Sequence, residues 1–158
     1  LYTLVTSMFL QGGVLHLTGN MLYLHIFGDN VEDALGHGRY LAFYLVSGIA
    51  ASMAHIFATD PSLWDAPAVG ASGAISGILG AYIILYPRAR ILTLLLIRFL
   101  YIVPVPAVFF LGFWFIYQWL DAMLEPLSVV AYWAHIGGFL AGMALAPILK
   151  RRMVRPTL

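Results

Sequence analysis

The chain has 158 residues, of which 62% are hydrophobic and 9% are charged, and its mean hydropathy is +0.91. This composition excludes a water-soluble domain of this size and indicates an integral membrane protein. The net charge of +1 gives no reason to expect nucleic-acid binding. The absence of cysteine excludes disulfides, thiolate catalysis and Cys-ligated metals.

Five segments are apolar enough to span a membrane, since a spanning helix needs about 20 mostly apolar residues. They are residues 9–28, 40–58, 70–86, 103–120 and 128–149. The apolar run 91–97 lies between two arginines and is too short to span, so we expect it to lie at the interface or to extend a neighbouring helix. The sequence predicts an all-α membrane protein, a polytopic transmembrane helix bundle forming a single domain over 1–158.

The basic residues predict the orientation of this bundle. If the five spans alternate, all of them fall on one side: Arg39, Arg88, Arg90, Arg98, Lys150, Arg151, Arg152 and Arg155. The positive-inside rule makes that side cytoplasmic, together with a basic tail over 150–158. No transit peptide is visible, which makes a bacterial plasma (inner) membrane the simplest location.

Four of the polar side chains inside the predicted spans are candidates for function. His16 and Asn20 are four residues apart and share one face of the first span. Ser72 begins the third span and His135 lies in the outer half of the fifth, so all four are predicted at similar depth on the outer side. Each one alone is equally well explained as a structural hydrogen-bonding group. Together they indicate a functional site, because polar groups inside a membrane are costly.

Small residues predict that the third and fifth spans pack closely. Gly73 begins a glycine-rich stretch in the third span, and Gly138 and Gly142 are four apart in the fifth. Such packing would bring Ser72 within hydrogen-bond reach of His135. No predicted span contains Asp or Glu, which favours a catalytic dyad over a triad.

A serine hydroxyl becomes a nucleophile when an adjacent base removes its proton, and a neutral imidazole does this near pH 7. We therefore expect Ser72 to attack and His135 to act as the base. The resulting oxyanion needs hydrogen-bond donors, for which the candidates are the backbone N–H of Ser72 and the side chains of Asn20 and His16.

These motifs resemble those of the rhomboid intramembrane serine proteases. The family pattern of H-x-x-x-N, G-x-S-G and A-H-x-x-G is met in order, and a glutamate precedes the next helix; the matching residues are His16, Asn20, Gly70, Ser72, Gly73, Ala134, His135, Gly138 and Glu32. The resemblance covers essentially the whole chain. It implies a core of six helices, so the family's first helix would lie upstream of Leu1.

Two positions depart from the family pattern. Gln11 stands where members often carry a histidine, and Ser76 stands where they usually carry an aromatic residue packed on the catalytic histidine. The first change is expected to alter loop hydrogen bonding. The second is expected to loosen the His135 ring or to supply a hydroxyl in place of the aromatic contact.

The resemblance implies a serine endopeptidase that cuts single-pass transmembrane proteins near the outer end of their helix. It also implies that the fourth span is a lateral substrate gate, with Phe110, Phe113 and Trp114 as candidates; a lipid-facing aromatic surface is the alternative. Expected partners are these substrates and membrane lipid.

Other functions are less well supported by the sequence. One alternative is a non-catalytic rhomboid-like adaptor or chaperone that binds membrane helices, although such relatives lack the serine or the histidine. A channel is disfavoured because the polar groups do not continue toward the cytoplasm. We expect no metal and no cofactor, since no H-E-x-x-H or comparable ligand spacing occurs.

Overall fold

A computed structural model describes residues 2–61, 64, 68–96, 100–125, 128 and 130–151. Residues 152–158 of the expected basic tail lie outside this part of the chain. The described residues form mainly helices, with one two-stranded hairpin. The elements are α1 (Thr3–Thr6), a 3-10 turn (Ser7–Phe9), α2 (Val14–Leu35), α3 (His37–Ala58), α4 (Ser72–Leu85), β1 (Arg90–Leu96), β2 (Leu100–Pro106), α5 (Ala107–Leu124) and α6 (Tyr132–Leu149).

Among the described residues, three helices are long and apolar enough to cross a membrane: α3, α5 and α6. Helix α4 is apolar but shorter. Helix α2 begins later than the predicted span 9–28 and continues to Leu35. Hydropathy predicts that the span ends where the acidic residues begin. The helical hydrogen bonds nevertheless continue to Gly36, which ends the helix with a φ of +81°, a conformation that favours glycine.

Helix α4 lies at the centre of the bundle, and every residue from Gly73 to Tyr82 is buried. It packs against α2, α3, α5 and α6. A Cβ atom at Gly138 would collide with the carbonyl oxygen of Gly73, and one at Gly142 with that of Gly77. The backbones of α4 and α6 are therefore in direct contact, which only glycine allows at these positions.

The hairpin was not predicted. Strands β1 and β2 pair antiparallel from Arg90 opposite Pro106 to Leu96 opposite Leu100. The expected extension of a helix is therefore wrong for residues 91–96, which lie in β1. The fourth predicted span, 103–120, becomes helical only at Ala107. Pro104 and Pro106 explain the difference, because proline interrupts a helix but is tolerated in a strand that has no third strand beside it.

The two ends of the bundle differ in charge. Arg39 Nη1 donates to the carbonyl of Leu149 (3.2 Å) and Arg151 Nε donates to that of Leu35 (3.1 Å). These bonds connect the end of α6 to the turn between α2 and α3. Arg39 and Arg151 therefore lie at the same end of the bundle. Helices α2, α4 and α6 all begin at the other end.

Candidate active site

Ser72 and His135 meet at the end of the bundle away from the arginines. Ser72 is the first residue of α4 and His135 lies in the first turn of α6. The Ser72 Oγ to His135 Nε2 distance is 2.9 Å, which is a hydrogen bond. The direct backbone contact of α4 with α6 is what holds these two helix starts side by side.

A third side chain touches the histidine. Nδ1 of His135 lies 2.6 Å from Oε1 of Gln118, a buried residue of α5. An amide oxygen only accepts, so Nδ1 carries the proton and Nε2 is left as the acceptor for the Ser72 hydroxyl. Gln118 was missed in the sequence, although it is a polar residue inside the predicted span 103–120.

His16 approaches Ser72 from α2. The backbone N–H of Gly12 donates to His16 Nδ1 (3.0 Å), so the neutral ring carries its proton on Nε2, as an oxyanion donor requires. A Cβ at Gly70 would lie 2.7 Å from His16 Cε1 and 3.6 Å from Ser72 Oγ. The His16 ring and the Ser72 hydroxyl thus both lie next to Gly70, which has no side chain to separate them and has a φ of +132°.

Asn20 is buried and donates through Nδ2 to Oε1 of Gln11 (2.8 Å). Gln11 thus orients the Asn20 amide, which has a second N–H to donate. Ser76 does not replace the aromatic contact with its hydroxyl, because its Oγ donates to the carbonyl of Ser72 (2.6 Å). Rings of other residues flank His135 instead: the centroid of Trp114 lies 6.1 Å away and that of Tyr132 6.4 Å away.

The remaining predicted residues lie apart from the serine. Phe113 is 73% exposed on the outer face of α5, whereas Phe110 and Trp114 pack against the core. Glu32 is at the opposite end of α2, where Oε1 lies 2.6 Å from His37 Nδ1.

A cavity of about 520 Å³ borders Ser72. Its wall includes His55 and Ser52 of α3, Met8 of the 3-10 turn and Ala134 of α6. The space beside the serine is large enough for a substrate side chain.

Comparison with known proteins places the chain in a family. A family model described as the Rhomboid domain matches residues 1–152. The chain belongs to the rhomboid family. Similar proteins include the "RHOMBOID-like protein 12, mitochondrial" of Arabidopsis thaliana, at 34% identity over 96% of this chain and 48% of that protein.

Two further relatives come from other organisms. "Rhomboid protein 1, mitochondrial" of Saccharomyces cerevisiae is 32% identical over 89% of this chain and 40% of its own length. "Rhomboid protease GluP" of Bacillus subtilis is 35% identical over 94% of this chain and 26% of its own length. This rhomboid chain spans less than half the length of all three. Because mitochondrial and bacterial relatives both occur, the comparisons do not support the expected bacterial membrane over others.

Proposed function

We propose that this rhomboid is an intramembrane serine endopeptidase with Ser72 as nucleophile and His135 as general base. The hydrogen bond of 2.9 Å between Ser72 Oγ and His135 Nε2 carries the proposal. A nucleophile and base within hydrogen-bond reach, with the base held by a third group, is the arrangement that activated serines share. A non-catalytic adaptor does not require a serine paired with a base in this way.

The reaction follows from these positions. Ser72 Oγ bonds to the carbonyl carbon of the substrate while its proton passes to Nε2 of His135. The imidazolium then protonates the leaving amine as the peptide C–N bond breaks, which leaves an acyl group on Ser72. Water, deprotonated by His135, hydrolyses this ester and restores the serine.

The oxyanion of the tetrahedral intermediate needs donors that are already in place. As the first residue of α4, Ser72 has a backbone N–H without an acceptor inside its own helix. His16 offers Nε2–H because Gly12 occupies its other nitrogen. Asn20 contributes an amide N–H, and loss of one such donor typically lowers kcat about 100-fold to 1,000-fold.

We propose that the substrate is a single-pass transmembrane protein, cut near the end of its helix on the side away from the arginines. That helix must unwind, because its own turns shield each peptide bond. Helix α5 is the proposed lateral gate, with Phe113 facing lipid and Phe110 and Trp114 packed inward. The cavity beside Ser72 would receive a substrate side chain.

The test is cleavage of a fluorescent single-pass reporter helix by the purified protein in proteoliposomes, together with labelling by a fluorophosphonate probe. Ser72→Ala should abolish both signals, and His135→Ala should abolish cleavage. Ser47→Ala is the matched control, since Ser47 is a buried serine of α3 whose hydroxyl forms no hydrogen bond within the described part of the chain. It should retain both signals.

The outcomes separate protease from adaptor. Cleavage lost in both site variants and kept in Ser47→Ala supports the dyad. Binding of the reporter without cleavage, with no labelling of Ser72, would instead favour the non-catalytic membrane-helix adaptor.

A further inference from the structure

Gln118 is the polar member of an otherwise apolar buried face. Within α5, which the structure describes in full, four residues are buried: Ala107, Leu111, Gln118 and Ala122. Three of these cannot form side-chain hydrogen bonds. An amide in such a place costs free energy unless it is paired, so its partner has to be identified.

That partner is the imidazole. Gln118 Oε1 lies 2.6 Å from His135 Nδ1, and the other ring nitrogen holds Ser72 Oγ at 2.9 Å. The side chains of Gln118, His135 and Ser72 are thus joined by two consecutive hydrogen bonds, which link α5 to α6 and α6 to α4. The central ring has two tautomers, of which only the one protonated at Nδ1 leaves Nε2 free to take the proton of the serine.

We propose that Gln118 is the positioning residue of this site: its side-chain oxygen holds His135 in the Nδ1–H tautomer and fixes the orientation of the ring. The inference rests on the proposed function. Gln118 fills the place that a buried carboxylate has in a Ser-His-Asp triad, but without its charge. A neutral acceptor suits a membrane interior, where a buried carboxylate would be costly.

The position of Gln118 on α5 has a consequence for substrate entry. Trp114 and Phe115 of the same helix pack on Phe139 of α6, with ring centroids 5.8 Å and 4.8 Å apart. These contacts and the Gln118 bond lie on one face of α5. If α5 moves outward as a gate, the acceptor for His135 moves with it, so the base is aligned only when α5 is docked on α6.

The test compares Gln118→Met, which keeps the length of the side chain but removes the acceptor, with Gln118→Glu, which keeps an oxygen at the same reach. Ile116→Met is the matched control, since Ile116 is exposed on the same helix. Orienting partners of functional histidines typically contribute 10-fold to 100-fold. We expect Gln118→Met to lower kcat by about that factor with KM unchanged, while Gln118→Glu stays closer to the wild type and Ile116→Met matches it.

A second measurement reads the tautomer directly. Nitrogen-15 NMR of histidine-labelled protein, with the His135 signal assigned by its loss in His135→Ala, shows which ring nitrogen carries the proton. The wild type should show Nδ1–H, and Gln118→Met should show a mixture of tautomers, an effect that general loosening of the fold does not predict.

The two readouts keep the two proposals apart. An unchanged kcat together with an unchanged Nδ1–H signal in Gln118→Met would overturn the role of Gln118. If the wild type does not cleave, the proposed function fails, but the NMR comparison still decides whether Gln118 sets the tautomer. If Gln118→Met does not fold, a wild-type His135 protonated at Nε2 would suffice to refute the inference.

Discussion

Ser76 stands where rhomboids usually carry an aromatic residue, yet His135 does not lack aromatic neighbours. The Ser76 hydroxyl bonds back to its own helix at Ser72, as serines in membrane helices often do. Trp114 from α5 and Tyr132 from the start of α6 flank the imidazole instead. The aromatic neighbours of His135 thus come from α5, the proposed gate, and from α6 itself.

Gly70 provides the first prediction at this scale. Gly70→Ala places a methyl group 2.7 Å from the His16 ring in a backbone conformation that non-glycine residues rarely adopt. We expect the His16 ring to move away from Ser72, which would displace a proposed oxyanion donor. We expect kcat to fall about 100-fold or more, measured by reporter cleavage.

Gly13→Ala is the control for this variant. Gly13 also has a positive φ, of 152°, but a Cβ there has no neighbour within 4 Å. Both variants incur a backbone cost of order 1–3 kcal/mol, but the added methyl group meets the His16 ring only in Gly70→Ala. Equal activity of the two variants would contradict the role given to this close approach.

The sequence reveals some of these residues and hides others. His16, Asn20, Ser72 and His135 stand out because polar groups are rare in apolar segments. Gln118 has the same signal, but a search for a carboxylate to orient the histidine passes over a neutral amide. The Gly12 bond that sets the His16 tautomer could not be predicted either, because it depends on the path of the chain before α2.

At the scale of elements, the α4–α6 contact positions Ser72, the proposed nucleophile, against His135, the proposed base. Gly142→Ala puts a methyl group against the carbonyl of Gly77, where backbone and not a flexible side chain must give way. Overpacking of this kind typically costs about 1–3 kcal/mol. We expect Gly142→Ala to lower the unfolding midpoint in detergent and to reduce cleavage, because α6 is pushed away from α4.

Gly112 offers a matched comparison, since it is a helical glycine of α5 with no atom within 4 Å of an added Cβ. Gly112→Ala should keep or slightly raise stability, because alanine favours a helix over glycine by roughly 0.5–1 kcal/mol. Equal midpoints for the two variants would argue against tight α4–α6 packing.

Hydropathy and glycine spacing predict which stretches become helices, but not how the chain passes between them. Residues 91–96 are rich in leucine, which is compatible with a helix, and their pairing with β2 is a contact between separate segments. The valines and prolines of 103–106 favour a strand locally. An apolar run flanked by arginines was interpreted by length alone, so the hairpin was missed and α5 was predicted to start too early.

At the scale of the whole molecule, the site and the basic residues occupy opposite ends. The helix starts of α2, α4 and α6 form the site, whereas Arg39 and Arg151 fasten the α2–α3 turn to the end of α6. The positive-inside rule predicts that the basic end is cytoplasmic in a bacterial host and that the candidate site opens to the opposite side. A substrate would be cut on that side.

The chain contains no cysteine, so single cysteines can report this orientation without background. Val130→Cys lies just before α6 at the site end, and Gly38→Cys lies at the start of α3 at the basic end; both positions are exposed. In bacterial cells with a permeabilised outer membrane, a membrane-impermeant maleimide should label Val130→Cys but not Gly38→Cys. Inverted inner-membrane vesicles should give the reverse pattern. Labelling of Gly38→Cys from outside would show that the orientation is the opposite of the predicted one. The proposed substrate would then have to be cut at the cytoplasmic end of its helix.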